Sequence, residues 1–167
     1  PFQTSKVGEL ELTGGELVIL DVTTLTVTGD ANLAGGTLSF ATSGANFDTL
    51  IVEGNVVQTG TVCGTTTSLS PFRVRGNWQG HNTFHMPQGW LFLDGSTPST
   101  IGGPSPTFGN LEVSGNTRTL VSDVDVLGNY VGSTNGVLDV ASSSLDVALD
   151  VTTSAGGAQI VGTGPVL

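Results

Sequence analysis

The sequence predicts an all-β protein, a right-handed parallel β-helix (β-solenoid) of about eight coils. Three observations indicate this fold class: a recurring apolar pair followed by glycine and a small polar residue, an abundance of strand-forming and corner-forming residues, and few good helix formers. Only 11% of the 167 residues are charged, whereas 37% are hydrophobic and 25 are glycines. Valine, threonine and leucine favour strands, and glycine favours sharp corners. The length suits one domain, residues 1–167.

The repeat has the form Leu-x-Val-x-Gly-Asn. Its copies begin at residues 10, 25, 50, 72, 91, 111 and 124, and an eighth copy at residue 145 has no glycine. Successive copies start 13 to 25 residues apart, which is typical of a solenoid with loop insertions. An antiparallel β-sandwich is the alternative, because it also has short alternating strands. The Gly-Asn corner recurs at the same position of successive repeats, and this favours the solenoid.

Each position of the repeat has a physical role. The Leu and Val, two residues apart, point to one face of a strand and fill a narrow interior. The glycine permits a bent backbone, and the following Asn or Asp hydrogen-bonds to nearby backbone. Stacked on successive coils, these polar side chains are expected to bond to one another as a ladder. The predicted corner residues are Gly29, Asp30, Gly54, Asn55, Gly76, Asn77, Gly95, Gly115, Asn116, Gly128 and Asn129.

Both ends of the sequence continue the strand pattern. Residues 1–9 run directly into the strand pattern, or alternatively form an N-terminal arm whose residues 1–7 donate a strand to a neighbour. The other end is apolar up to Val166 and Leu167. Because end coils without a cap expose unpaired backbone groups, the pattern predicts head-to-tail self-association into a fibre.

The charge balance argues against several classes of partner. Fourteen acidic residues face four basic ones, Lys6, Arg73, Arg75 and Arg118, for a net charge of −10. Such a charge repels nucleic-acid phosphates and anionic lipid. The sequence contains no apolar run long enough to span a bilayer, so membrane insertion is not expected. The single cysteine, Cys63, lies in a strand-like setting, where it is expected to behave as a small hydrophobe.

Carboxylates recur at the position after the first apolar residue in three copies. Glu112, Asp125 and Asp146 are therefore predicted to form a column on the outer face. Such a column is either a solvated acidic stripe, a weak Ca²⁺ site, or the centre of a polysaccharide-cleaving site with Arg118 as its basic group. Otherwise no metal, cofactor or catalytic residue is predicted. At the position just before the glycine of the repeat, three consecutive copies carry Glu53, Arg75 and Asp94, which are expected to form an ion ladder.

Two other pairs of residues have two interpretations each. His81 and His85 have the spacing of a metal pair on a helix, but four strand residues separate side chains by roughly 13 Å, too far for one zinc ion. Trp78 and Tyr130 each follow a Gly-Asn corner. They either project as platforms for sugar rings or pack inside, as tryptophan usually does.

Residues 74–140 carry the motifs Gly-Asn-Trp, Phe-x-Asp-Gly-Ser and Phe-Gly-Asn-Leu-x-Val-x-Gly. This stretch resembles large secreted bacterial repeat proteins, which are adhesin-like or autotransporter-passenger-like parallel β-helices. The resemblance implies a parallel β-helix and an extracellular or cell-surface location. Together with the strand-like ends, it favours a non-enzymatic structural role, as the subunit of a filament or as an adhesin stalk segment. The expected partners are further copies of the chain and surface glycans. A polysaccharide-binding or polysaccharide-cleaving β-helix and a phage-type spike module are the alternatives.

Overall fold

The computed structural model describes residues 3–20, 23–41, 49–63, 71–81, 89–154 and 156–167, and the regular structure in those ranges consists of strands. In chain order the strands are β1 (Gln3–Val7), β2 (Leu10–Leu20), β3 (Thr23–Val27), β4 (Ala31–Ala41), β5 (Thr49–Val52), β6 (Val56–Gln58), β7 (Val62–Cys63), β8 (Pro71–Val74), β9 (Trp78–Gln79), β10 (Trp90–Leu93), β11 (Ser99–Gly102), β12 (Thr107–Phe108), β13 (Asn110–Val113), β14 (Thr117–Leu120), β15 (Val124–Val126), β16 (Tyr130–Gly132), β17 (Val137–Asp139), β18 (Leu145–Val147), β19 (Val151–Thr153) and β20 (Gln159–Val161). The predicted all-β class is confirmed.

The strands form three parallel sheets along a solenoid. The first sheet has the order β1-β3-β5-β8-β10-β13-β16-β19, the second β2-β4-β6-β9-β11-β14-β17-β20, and the third β12-β15-β18, while β7 pairs with β4. Register partners in the first sheet lie 19 to 25 residues apart in the sequence. Each strand therefore stacks on its counterpart one coil away, as in a solenoid and unlike a sandwich.

Each of the eight strands of the first sheet begins a coil, so coil 4 begins with β8, coil 5 with β10 and coil 6 with β13. In the described chain the first and last coils have a neighbour on one side only. About six turns are thus enclosed between neighbours, slightly fewer than the eight coils predicted.

The first copy of the repeat lies earlier than predicted. Ser5, not Leu10, is in register with Leu25 in the first sheet. Leu10 lies in β2 of the second sheet and pairs with Ala31. Because β1 pairs with β3, the described part of the segment for which an arm was the alternative, from Gln3 onwards, belongs to the first coil.

The last two copies of the repeat are also out of phase. Val124 and Leu145 pair with each other in the third sheet, whereas Leu111 in the first sheet is followed by Tyr130. The two shortest predicted spacings, 15 and 13 residues, were the ones that contained these errors. Among the described residues, register partners one full circuit apart are separated by at least 18 residues.

The core is a narrow column of apolar side chains inside the solenoid. Alternate residues of each strand of the first sheet point inward, which gives the alternating burial of β5, β8, β10 and β13. The inward positions form two stacks, and between the end coils the following members are each at most 3% exposed: Leu50, Phe72, Leu91, Leu111 and Tyr130 in one, and Val27, Val52, Val74, Leu93 and Val113 in the other. Each such side chain stabilises the fold by about 1.5–3 kcal/mol through burial.

Trp78 and Tyr130 belong to this core, at 2% and 0% exposed. The Trp78 ring packs edge-on against Phe72 and Phe108, with centroids 5.7 and 5.6 Å apart. Such aromatic pairs add about 0.5–1.5 kcal/mol beyond the area that they bury. The packing interpretation of both residues is therefore correct, and neither is a platform for a ligand.

Candidate functional site

Polar side chains at the corner between the first and second sheets form a ladder along the solenoid. Asn55 donates its backbone N–H and its Nδ2 to Asp30 Oδ1, at 2.7 and 3.1 Å. Asn77 donates in the same way to Asn55 Oδ1, at 3.0 and 2.8 Å. The backbone N–H and hydroxyl of Thr100 then donate to Asn77 Oδ1, at 2.8 and 3.1 Å. The ladder thus links four consecutive coils.

The glycines of this corner are required by the closeness of neighbouring backbones. A Cβ built on Gly29 would lie 2.7 Å from the carbonyl oxygen of Gly8, and one on Gly54 would lie 2.6 Å from that of Gly29. Of the six predicted corner glycines, Gly115 alone has a positive φ, 79°. Steric exclusion of a side chain between coils, rather than a left-handed backbone, therefore explains most of them.

The corner changes in coil 5, where the ladder continues through Thr100. Seven residues separate Leu93 from Ile101, whereas three separate their register partners Val74 and Trp78. The extra residues carry Gly95 away from the ladder. Asn116 lies at the equivalent corner of coil 6, and its Nδ2 donates to the Ser96 carbonyl oxygen of the longer corner at 2.7 Å.

Gly128 and Asn129 lie at a different corner, the one that precedes the first sheet. The backbone N–H and Nδ2 of Asn129 donate to Asn110 Oδ1, at 3.0 and 3.3 Å, and the N–H of Asp150 donates to Asn129 Oδ1 at 3.3 Å. Their predicted position in the column of Gly115 and Asn116 is therefore wrong. A second ladder exists here that the sequence pattern did not reveal, because Gly-Asn pairs occur at two different corners, as at residues 115–116 and 128–129 of coil 6.

The predicted acidic column does not form. Asp125 and Asp146 are register partners in the third sheet, but Glu112 lies in β13 of the first sheet, beside Val131. The Ser133 hydroxyl donates to Glu112 Oε1 at 2.6 Å. The phase error at residue 124 caused the wrong assignment. Within the described residues, no group of three or more His, Cys, Asp and Glu side chains could hold a metal ion.

Arg118, the predicted basic partner of that column, points into the solenoid and is 0% exposed. Its Nη1 donates to the carbonyl oxygens of Thr97 and Thr117, at 3.0 and 3.2 Å, and its Nη2 to that of Gly95 at 3.0 Å. Burial lowers the pKa of the guanidinium, and the charge of Asp94 opposes that shift. Arg118 thus fixes the long corner of coil 5 from inside and is inaccessible to a substrate.

A cluster of ion pairs lies on the outer face of the first sheet, as predicted from residues 53, 75 and 94. Arg75 Nη1 lies 2.7 Å from both carboxylate oxygens of Glu53, and Arg75 Nε lies 3.6 Å from Asp94 Oδ1. Arg73 Nη1 lies 2.6 Å from Asp94 Oδ2. The hydrogen bond to Glu53 raises the pKa of Arg75. Beside the cluster is a cavity of about 320 Å³, whose lining includes Ser96 and Thr97.

Two aromatic side chains adjoin this cluster. Trp90 and Phe92 occupy the outward positions of β10, and their ring centroids are 6.0 Å apart at an angle of 35°. The Arg73 guanidinium carbon lies 4.4 Å from the centroid of the Phe92 ring. Sequence reasoning concentrated on Trp78 and Tyr130 and missed this pair. Its signal was the position of both rings on either side of the inward Leu91.

His81 and Cys63 offer no site of their own. The backbone N–H of His81 donates to Gln58 Oε1 at 2.6 Å, and His85 lies outside the described residues. Cys63 is a half-buried free thiol, and burial raises its pKa to about 12. A thiol held in its neutral form is a poor nucleophile.

Comparisons with protein-family models, curated proteins and solved structures give no match for this chain. No helix in the described residues has the length and apolar character needed to cross a membrane.

Proposed function

We propose that the chain is a non-enzymatic, extracellular structural protein whose solenoid units stack head to tail in a surface filament or an adhesin stalk. One observation carries the proposal: the end coils expose positions that the coils between them bury. In the inward stacks, Val151 is 45% exposed where Tyr130 is 0%, and Val7 is 38% exposed where Val27 is 0%. A further coil on either end would remove this apolar surface from water.

The geometry of the two ends is compatible with such stacking. The first sheet ends in β1 on one side and β19 on the other, and all of its strands are parallel. A strand of the same direction can extend a sheet edge through backbone hydrogen bonds. Because the two ends are different surfaces of one chain, the contact is heterologous and does not close on itself.

The extracellular location rests on composition. The chain has little charge and is rich in glycine, as are the secreted bacterial repeat proteins that residues 74–140 resemble. Antibody labelling of intact source cells tests this part of the proposal, since only a surface protein is labelled without permeabilisation.

Electron microscopy and light scattering of the purified chain test the assembly. We expect unbranched filaments one solenoid wide, with a mass that grows with protein concentration. Val151→Lys places a charge on one end face and is expected to abolish filaments. Val121→Lys is the matched control, because Val121 is 62% exposed on the side of coil 6.

Gly8→Ala tests the register of stacking. Nothing lies within 4 Å of a Cβ on Gly8, whereas the equivalent Cβ on Gly29 would meet the preceding coil. The substitution should leave the fold intact and prevent a neighbour from seating on β1. A wild-type chain that stays a monodisperse monomer at high concentration would refute the filament, and a compact trimer would favour a spike module.

A further inference from the structure

We propose that the outer surface of coils 3 to 5, here called the β10 face and defined by Glu53, Arg73, Arg75, Trp90 and Asp94, binds a neutral carbohydrate. The Trp90 ring covers the apolar face of one sugar ring, and polar groups around the cavity at the other end of β10 bind hydroxyl groups of another sugar ring in the same oligosaccharide. This inference goes beyond the structural role, because it concerns the side of the solenoid, which end-to-end stacking leaves free.

The aromatic part of the β10 face is formed by strand parity. Leu91 and Leu93 point into the core at 3% and 1% exposed, so Trp90 and Phe92 point outward. Arg73 lies over the Phe92 ring, and Trp90 is partly exposed beside it. A partly exposed indole suits the C–H groups on one face of a pyranose ring, because the face of an aromatic ring carries negative partial charge.

Two arginines of this face are fixed in place before any ligand binds. Asp94 pairs with Arg73 at 2.6 Å and lies 3.6 Å from Arg75, and its own side chain is 16% exposed. The Arg73 and Arg75 side chains are 34% and 41% exposed. A guanidinium has five N–H donors, so each arginine retains donors for a ligand. Asp94 is thus a positioning residue and the two arginines are donors.

The cavity beside the arginines supplies the complementary acceptors. It measures about 320 Å³, which lies within the usual range for small-ligand clefts, and it is lined by Glu53, Arg75, Asp94, Ser96 and Thr97. The Glu53 carboxylate accepts hydrogen bonds, and the Ser96 and Thr97 hydroxyls both donate and accept. Adjacent hydroxyl groups of a sugar require this mixture of donors and acceptors.

Charge selects a neutral ligand. The chain has a net charge of −10, which repels a polyanion as a whole. On the β10 face, however, Arg73 and Arg75 are paired with Asp94 and Glu53, so the positive and negative groups balance. A neutral oligosaccharide meets hydrogen-bonding groups there without an unpaired charge of either sign.

The test uses the whole chain and three neutral probes, cellohexaose, xylohexaose and mannohexaose, with oligogalacturonate as the anionic comparison. Trp78 is buried, so Trp90 dominates collisional quenching of tryptophan emission by acrylamide. We expect at least one neutral probe to give saturable protection from quenching at up to about 10 mM, and oligogalacturonate to give none.

Calorimetric titration then compares variants, because Trp90→Ala removes the fluorescent reporter. Trp90→Ala should weaken binding about tenfold or more, and Glu53→Gln several-fold, whereas Val121→Ala should have no effect. Circular dichroism confirms that each variant is folded. Filament formation should be the same for Trp90→Ala as for wild type, so this inference and the proposed function fail separately.

Two outcomes would overturn the inference. One is saturable binding of none of the three neutral probes, or binding that Trp90→Ala leaves unchanged. The other is a change in self-association on Trp90→Ala without carbohydrate binding, which would assign the β10 face to a contact between copies of the chain.

Discussion

Asn55 is bonded to the coils on both sides of it, and this double role decides which residue type fits each rung of the ladder. An amide side chain both donates and accepts, whereas a carboxylate only accepts. Asp30 stands at the beginning of the ladder, where its Oδ1 accepts from Asn55. Asn55 and Asn77 stand between two coils and use both functions of the amide. Asp thus stands where the side chain only accepts, and Asn stands where the side chain also donates to the preceding coil.

Asn55→Asp should reduce stability in a pH-dependent way. The substitution removes the Nδ2 donor and puts a carboxylate about 3.1 Å from Asp30 Oδ1. Like charges raise the pKa of one of the two groups, so we expect a loss of about 1–3 kcal/mol at pH 7 that shrinks as the pH falls through the raised pKa. Urea unfolding at pH 7 and pH 3 measures it. Gln79→Glu is the control, because Gln79 is exposed in β9 and its register partners, Val57 and Gly102, carry no charge. An equal loss at both pH values would contradict the repulsion.

Arg118→Met should cost far more than loss of an exposed arginine. It removes donors from the carbonyl oxygens of Gly95, Thr97 and Thr117 inside the long corner of coil 5. We expect unfolding free energy to fall by about 2–4 kcal/mol. Arg75→Met is the matched control and should cost at most about 1 kcal/mol, because its ion pairs are exposed. Similar losses for both variants in denaturant unfolding would show that burial of Arg118 contributes little.

At the scale of the element, backbone contact between corners determines the sequence as much as the strands do. Successive corners approach so closely that the glycine of one meets the carbonyl oxygen of the one before, as at Gly54 and Gly29. The strands themselves tolerate varied side chains at outward positions, from Thr26 to Ile51, Arg73 and Phe92 in one row. Because the corners are tight, glycine recurs there from coil to coil. Because the outer faces are permissive, the residue type at the outward positions varies.

Gly54→Ala is expected to destabilise the solenoid by about 1–3 kcal/mol, as overpacking does. The new Cβ would lie 2.6 Å from the Gly29 carbonyl oxygen, and backbone cannot move aside as a side chain can. Gly8→Ala provides the control at the equivalent corner of coil 1, where no atom lies within 4 Å of a Cβ. The difference between the two in chemical denaturation isolates the contact between coils. Equal effects would point to backbone entropy instead.

For the whole molecule, stability depends on the stacking of each coil on its neighbours. Every described pairing between the strands of the three sheets joins one coil to the next, so the interior coils gain two interfaces and the end coils one. The same arrangement places a single narrow core along the solenoid, in which a titratable group has little access to water. Cys63 and Tyr130 are such groups, and burial raises the pKa of each.

Alkaline pH should therefore destabilise the fold. The Cys63 thiol ionises near its ordinary pKa of 9.0 when unfolded and at about 12 when folded. Stability is complete below pH 9 and falls as the pH rises from 9 towards 12, because only the unfolded state releases the proton. Tyr130 acts in the same direction. Guanidinium unfolding at pH 8 and pH 10.5 should show a smaller alkaline loss for Cys63→Ala than for wild type. Parallel losses would contradict this assignment to Cys63.

The sequence determined the fold class, because the parity of strand residues and the Gly-Asn corner are local patterns that recur. Leu50 and Val52 point inward for the same reason as Leu111 and Val113. The ion pairing of Arg75 between neighbouring coils was predictable for the same reason, since it needs only the correct phase of adjacent repeats.

The tertiary structure decided which corner each repeat belongs to. In coil 6, two corners carry a Gly-Asn pair. The local pattern at Asn129 therefore does not show whether Asn110 or Asn116 is its neighbour, whereas the path of the chain around a full coil does. The path of the chain likewise places Glu112 in the first sheet and Asp125 in the third. It also places Arg118 inside, in register with the small Ser99, and leaves Trp90 outside while Trp78 is buried. Contacts between residues about twenty positions apart make these choices, because in a solenoid each side chain meets its neighbours one coil away.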